Sequence, residues 1–176
     1  MRWMWIDRII ELAPGERLVA VKNVSLAEEH LHDHFAADAG RGLTGLPIMP
    51  ACFIVEGMAQ TGGILVGHAE GFKEKVILAK IGRAELTREA TPGCTLRYTA
   101  AMERMDAQGA SVKGTVELLD HAHGAAGYAT IGTIDLVFSH LDNNTGTAGR
   151  AGVDFPAHNF VFGEGFKTLL RCSGFG

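Results

Sequence analysis

Residues 46–66 read LPIMPACFIVEGMAQTGGILV, and this stretch decides the fold of the chain. Apolar or small residues recur in it at helical spacing, which predicts one helix from about Pro50 to Gly67. A helix that is apolar or small nearly all the way round is buried in the protein core. Two prolines, several glycines and Glu56 interrupt the stretch and exclude a membrane span, so we expect a buried helix in a soluble protein.

Segments with strand character lie on both sides of this helix. They cover Trp5–Leu12, Leu18–Val24, Val76–Ala79, Thr95–Met105, Val112–Leu118 and Tyr128–Phe138. Turn signals at residues 13–16 (APGE) and 106–109 (DAQG) predict hairpins between neighbouring strands. An antiparallel sheet with one apolar face must cover that face, and the long helix is the element apolar enough to do so. The sequence therefore predicts an α+β fold in which an antiparallel sheet wraps one central helix.

The chain is predicted to divide near residue 140. Its 176 residues and 47% hydrophobic content suit one domain, which we place at residues 1–140. Residues 141–176 are predicted to be a linker, rich in Gly, Ala, Thr and Asn over 143–153, and a C-terminal tail. A short helix over Phe160–Leu170 is expected to pack on the neighbouring surface, and no chemistry is assigned to it.

Charge and cysteine content exclude several classes of protein. A formal net charge of -4 and a pI near 6.0 give no overall attraction to nucleic acid or to an anionic membrane. Three widely spaced cysteines without a C-x-x-C pair predict neither a disulfide framework nor a zinc site. Asp7 and Arg8 interrupt the apolar start, so we expect no export signal and a cytoplasmic protein.

Glu56 is the one residue expected to carry charge between Ala51 and Gly67. Glutamate is seldom fully buried without a partner, and a buried carboxyl that stays protonated near neutral pH can donate its proton. Gln60, one turn on, and Cys52, one turn back, lie on the same helix face. The alternative is a structural glutamate that caps a buried backbone group or pairs with an arginine.

Three histidines alternate in residues 28–35 (EEHLHDHF). In an extended strand His30, His32 and His34 would point the same way and could in principle ligate zinc. No partner motif such as H-E-x-x-H accompanies them, so structural roles are the more common expectation and no metal is predicted. The following residues, Ala36 to Leu46, are predicted to be a mobile loop.

Residues 46–60, preceded by His34-Phe35, resemble the active-site signature of the 3-hydroxyacyl-acyl carrier protein dehydratases. In that family His-Phe-Pro-Gly is followed by Pro-Ile-Met-Pro-Gly and by a helix that carries Glu-Ala-Met-Ala-Gln. Segments at 5–9, 78–84 and 90–96 also resemble strands of the family, so the resemblance covers roughly residues 5 to 140. It implies a hot-dog fold and a homodimer, or a higher oligomer, in which one subunit supplies His34 and the other Glu56.

The resemblance also implies the reaction, the removal of water from a 3-hydroxyacyl thioester to give the trans-2-enoyl thioester in acyl-chain synthesis. We expect His34 to abstract the C2 proton and Glu56 to protonate the departing hydroxyl. The backbone N–H groups of Ala51 and Cys52, at the helix N-terminus, are expected to hold the thioester oxygen, and Gln60 to help bind substrate. No cofactor or metal is required.

The expected partner is an acyl carrier protein. Such carriers are acidic, and five basic residues could form a local patch to receive one or could be an ordinary solvated rim. These residues are Lys73, Lys75, Lys80, Arg83 and Arg88.

Several residues depart from the family pattern. Ala36-Ala37 stands where the family has Pro-Gly, the stretch before Pro47 is longer, and Ala51 replaces a glycine. Cys52 resembles the branch that also isomerises the double bond, but that branch has aspartate at the position of Glu56, which favours the plain dehydratase. A thioesterase on the same fold, or a non-catalytic acyl-binding protein, is the alternative function.

Overall fold

The structure is a computed structural model that describes residues 3–121, 127–141 and 158–176. The strands are β1 (Arg8–Ala13), β2 (Arg17–Asn23), β3 (Val76–Leu86), β4 (Cys94–Asp106), β5 (Gly109–Asp120) and β6 (Ala129–His140). The helices are α1 (His30–Asp33), α2 (Ala51–Ala69) and α3 (Glu164–Ser173), with a 3-10 turn at Ala39–Arg41. The strands form one antiparallel sheet in the order β1-β2-β4-β5-β6-β3.

Helix α2 is the central helix, and the sheet wraps it through contacts from β2, β3, β4, β5 and β6. Eleven of its residues are buried, beginning at Ile54 and continuous from Gly57 through Gly62. Met58, Ile64 and Leu65 are fully enclosed, and each such side chain contributes about 1.5–3 kcal/mol through its removal from water. The predicted hot-dog arrangement is thereby confirmed.

Two hairpin turns lie where the sequence predicted them. Glu16 N–H donates to the Ala13 carbonyl at 3.0 Å between β1 and β2, and Gln108 N–H donates to Oδ1 of Asp106 at 2.9 Å between β4 and β5. Strand β3 is longer than the predicted Val76–Ala79. Its residues from 78 to 85 are exposed, because it is an edge strand that the described sheet covers on one side only.

The histidine segment is helical rather than extended. Residues 30–33 form the single turn of α1, in which Leu31 alone is buried. The loop that follows is a small closed hairpin, in which Asp38 and Leu43 exchange backbone hydrogen bonds of 3.0 and 2.9 Å. Oδ1 of Asp38 also accepts from Arg41 N–H at 3.1 Å, so the segment predicted to be mobile has regular local hydrogen bonds.

The C-terminal segment, residues 158–176, packs on the domain through α3. Ile9 N–H donates to Oγ of Ser173 at 3.0 Å, which ties α3 to β1. Four apolar side chains of the segment are buried: Phe162, Phe166, Leu169 and Leu170. The linker predicted over 143–153 lies outside the described residues, and the division of the chain at residue 140 stays a prediction.

The three described ranges contain no helix with the length and apolar character needed to cross a bilayer.

Candidate active site

Glu56 lies on the part of α2 that the sheet leaves open. Ala51, Cys52 and Glu56 are exposed in the single chain, whereas the helix is buried from Gly57 onward. The prediction that Glu56 is buried is therefore wrong for one chain by itself. Helical periodicity identifies an apolar rod, but it does not distinguish a face covered by the chain's own sheet from a face left open.

Gln60 holds Glu56 and the N-terminal segment together. Its Nε2 donates to Oε1 of Glu56 at 3.0 Å and to the carbonyl of Trp3 at 2.6 Å. Its Oε1 accepts from the backbone N–H of Trp5 at 2.9 Å. Because the Gln60 side chain is buried and engaged at both ends, the carboxylate of Glu56 is fixed by a rigid neighbour.

The N-terminus of α2 offers unpaired backbone donors beside Glu56. Pro50 is the N-cap of α2, and the backbone N–H of Phe53 donates to the Pro50 carbonyl at 2.9 Å. The first N–H groups of a helix, here those of Ala51 and Cys52, have no intrahelical acceptor and lie at the positive end of the helix dipole. Phe72 is the one described non-glycine residue with positive φ, so Ala51 adopts its place without strain.

Two cavities meet at Glu56. One, of about 300 Å³, runs along α2 past Gln60 and Ile64 towards β3 and is mainly apolar. The other, of about 320 Å³, is formed by Glu56 with four further residues: Trp3, Trp5, Cys52 and Phe53. The first has the size and apolar lining of a small-molecule site, with a carboxylate and an amide at one end. This arrangement can hold an apolar chain with its polar end at Glu56.

His34 is exposed and ends α1 as its C-cap. Its ring lies edge-on to Phe35, with 4.5 Å between the ring centroids. In the described part of the chain no hydrogen bond or ion pair joins His34 to Glu56, and His34 lines neither cavity at Glu56. The catalytic roles of His34 and Glu56 stay predictions.

His30 belongs to an aromatic cluster beside the site. Trp5 and Phe53 stack with 4.0 Å between their centroids, and the His30 ring lies edge-on to both at 5.1 Å. This burial lowers the pKa of His30. His32 has a different environment, with 2.6 Å between its Nε2 and the Leu26 carbonyl oxygen. Since the segment is helical, the three histidines do not converge, and the residues that the structure describes contain no cluster of three metal-ligand side chains.

The predicted basic patch loses one member. Lys75, the residue directly before β3, is buried. The exposed members are Lys73, Lys80, Arg83 and Arg88. Arg83 pairs with Glu85, and Arg88 lies 3.8 Å from Asp120, so two of the four charges are partly neutralised.

Comparison with known proteins identifies the family. A family model described as the FabA-like domain matches residues 2–121. The chain belongs to the FabA-like family. It is 39% identical over 104 residues to the 3-hydroxyacyl-[acyl-carrier-protein] dehydratase FabZ of Symbiobacterium thermophilum, a match that covers 58% of this chain and 68% of that protein.

A second curated relative and a solved structure are also similar to this chain. The chain is 37% identical over 105 residues to the bifunctional enzyme LpxC/FabZ of Chlorobaculum tepidum, and the match covers 58% of this chain but only 21% of that longer enzyme. A structure titled the dehydratase heterocomplex ApeI:P from Xenorhabdus doucetiae shares the fold. Its TM-score is 0.56 at 17% identity, covering 78% of this chain and 83% of that chain.

The FabA-like match includes the predicted site residues but stops before the C-terminal segment. Sequence reasoning missed residues at both ends of the site. Trp3 and Trp5 contact the Gln60 amide, and Phe162 and Phe166 line the cavity that begins at Glu56. Helical spacing does not identify the second pair, because Phe162 lies before the start of α3 at Glu164.

Proposed function

We propose that the chain is a 3-hydroxyacyl thioester dehydratase that acts on substrates linked to an acyl carrier protein. The observation that carries the proposal is the position of Glu56, between the open N-terminus of α2 and an apolar cavity, in a FabA-like chain. Its curated relative from Symbiobacterium thermophilum bears the name of this activity. The acyl chain lies in the cavity with its thioester near Glu56.

The proposed reaction needs a base, an acid and a site for negative charge. His34 takes the C2 proton, and Glu56 gives a proton to the hydroxyl at C3, which leaves as water while the C2–C3 double bond forms. The N–H groups of Ala51 and Cys52 donate to the thioester oxygen as it gains charge. The proton taken by His34 and the proton given by the protonated carboxyl of Glu56 balance the elimination, so the proposed step uses no cofactor.

A second copy of the chain completes the proposed site. Glu56 and His34 are both exposed, and no hydrogen bond or ion pair joins them within the described residues, which supports a site in which another chain supplies the partner of each. Strand β3 is an unpaired edge with exposed Leu78 and Ile81, and such an edge is a template for pairing with another chain. We therefore propose a homodimer, alone or within a higher oligomer, with His34 and Glu56 drawn from different subunits.

The carrier is proposed to dock through the exposed basic side chains near β3. Lys73, Lys80, Arg83 and Arg88 supply the positive charge that an acidic carrier requires. We propose a cytoplasmic enzyme, and the free thiols of the three cysteines, which suit a reducing compartment, support this proposal.

Turnover of 3-hydroxyacyl thioesters tests the proposal. We expect His34→Ala and Glu56→Gln each to lower kcat by about a hundredfold or more while the chain remains folded. His32→Ala and Glu70→Gln are matched controls, because they remove an exposed histidine of α1 and the exposed glutamate that ends α2, both outside the proposed chemistry.

Three results would overturn the assignment. Near-normal turnover in either site variant would remove His34 or Glu56 from the mechanism. Release of free thiol in place of an enoyl product would identify a thioesterase. Tight acyl-thioester binding by the wild-type chain without turnover would identify an acyl-binding protein.

A further inference from the structure

The C-terminal segment supplies one wall of the cavity that starts at Glu56. Val161, Phe162 and Phe166 line this cavity opposite α2 and β3. All three residues lie beyond residue 121, where the match to the FabA-like family ends. The wall is therefore a feature of this chain that the family assignment does not supply.

Asn159 fixes the start of this wall. Its Nδ2 donates to the carbonyls of Phe72 and Glu74, at 3.0 and 2.9 Å. Its Oδ1 accepts from the backbone N–H groups of Val161 and Phe162, at 3.0 and 3.3 Å. One side chain thus ties the segment to the chain that follows α2 and sets the direction in which Phe162 enters the domain.

Helix α2 is shaped to receive Phe162. A Cβ atom added at Gly67 would collide with the Phe162 ring, so the absence of a side chain at Gly67 makes the close approach of helix and ring possible. Phe162 also lies edge-on to Phe72 and to Phe166, with centroid distances of 4.9 and 5.8 Å. Edge-on aromatic pairs of this kind add to the burial energy, so the rings form a firm wall.

The two rings separate two cavities. Phe162 and Phe166 line the cavity of about 300 Å³ that contains Glu56, and they also line a second cavity of about 380 Å³. The second cavity is otherwise formed by Phe72, His158, Asn159, Lys167 and Leu170. An apolar chain that extends from Glu56 along α2 meets the rings before it can reach the second cavity.

We propose that Phe162 and Phe166 set the acyl-chain length that this protein accepts, by closing the far end of the substrate cavity. This inference rests on the proposed function, because it assumes that the apolar tail of a 3-hydroxyacyl thioester occupies the cavity at Glu56. A substrate that ends at the rings buries its tail fully, whereas each further methylene must displace a packed aromatic side chain. Chains longer than the cavity are rejected for this reason.

Removal of one ring tests the inference. Phe166→Ala joins the two cavities, and we expect kcat/KM for long relative to short substrates to rise at least about tenfold across a series from 3-hydroxybutanoyl to 3-hydroxyhexadecanoyl thioesters. Phe166→Leu keeps most of the packing and should shift the preference in the same direction by less. Leu169→Ala is the matched control, because Leu169 is buried on the same helix but does not line the cavity.

Binding of unreactive acyl-pantetheine thioethers of the same lengths, measured by calorimetry, gives a readout that does not depend on turnover. An unchanged length preference in folded Phe166→Ala and Phe166→Leu would overturn the inference, as would an equal shift in Leu169→Ala. Wild-type protein that turns over no thioester would instead refute the proposed dehydratase. The binding series would then still decide whether the two rings limit chain length.

Discussion

The side-chain amide of Gln60 donates a hydrogen bond to the carboxylate of Glu56, with 3.0 Å between Nε2 and Oε1. The same amide bonds the backbone of Trp3 and Trp5, so it has no freedom to turn away. A catalytic group acts only within a narrow range of geometry, and a neighbour that is itself immobilised maintains that geometry. Gln60 is thus a positioning residue for the proposed acid.

Gln60→Met removes the amide and keeps the length of the side chain. We expect kcat to fall about tenfold with little change in KM, since Glu56 loses its orientation while the cavity keeps its shape. Thr61→Val is the control, because it removes a buried hydrogen bond to the Gly57 carbonyl on the same helix, in which Glu56 takes no part. Equal losses of kcat in Gln60→Met and Thr61→Val would show that Gln60 stabilises the helix and does not position Glu56.

Mixed dimers test whether the site is shared between chains. One subunit carries His34→Ala and the other Glu56→Gln, with different affinity tags so that the mixed species can be purified. One of the two sites then has both wild-type residues, and we expect about half of wild-type activity from two inactive parents. Mixed dimers as inactive as their parents would place both residues of each site in the same chain.

His30 makes stability depend on pH. Burial against Trp5 and Phe53 lowers the pKa of His30, and the opposing charge of Glu28 does not cancel this effect. The unfolded chain therefore binds more protons than the folded chain below about pH 6.5. The contribution of neutral His30 is complete above that pH and is lost as the pH falls through the folded pKa.

Thermal melts from about pH 7 to about pH 5 measure this effect. We expect His30→Phe, which keeps an aromatic ring in the cluster but cannot titrate, to lose less of its Tm on acidification than the wild type. His32→Phe should retain the wild-type slope, because His32 lies outside the cluster. A wild-type slope in His30→Phe would assign the acid sensitivity to other groups.

Gly57 and Tyr98 pack so closely that a methyl group does not fit between them. A Cβ atom at Gly57 would lie 2.6 Å from Cζ and Oη of Tyr98, which is fully buried. Gly57→Ala should therefore destabilise the protein by about 1–3 kcal/mol in urea denaturation. At Gly63 the nearest atom is 3.6 Å away, so Gly63→Ala should be neutral or stabilising by up to about 1 kcal/mol.

The pair can be checked by compensation. Tyr98→Leu makes room for the methyl group, so the cost of Gly57→Ala should shrink in the double variant. Equal costs of Gly57→Ala in the presence and absence of the tyrosine ring would show that the two residues do not compete for the same space.

The sequence predicted those parts of the fold in which one pattern dominates. The helix expected from about Pro50 to Gly67 runs from Ala51 to Ala69, because apolar side chains at helical spacing have no other way to be buried. Strand β3 was recognised only over its first four residues. The rest of it is exposed, and a strand without a buried face has no alternation to detect.

The site was predicted less completely than the fold. Residue identity and helical spacing were enough to predict that Glu56, Gln60 and the helix N-terminus form one site. They did not indicate that Glu56 is exposed to solvent in the single chain. A pattern of apolar residues does not distinguish a helix face covered by the same chain from a face covered by another chain. Phe162 and Phe166 were missed since their contacts with α2 span about a hundred residues, and local periodicity contains no information on such distant pairings.

The hydrogen bond from Ile9 to Ser173 joins residues 164 positions apart. A ribosome makes a chain from its N-terminal end, so β1 is synthesised well before the residue that bonds it. The sheet and α2 can assemble earlier, and Phe162 can pack against Gly67 only after the C-terminal segment has been made. Until then, the apolar surface of α2 that Phe162 covers is exposed in the nascent chain. Chaperones or neighbouring nascent chains can bind this surface in that interval.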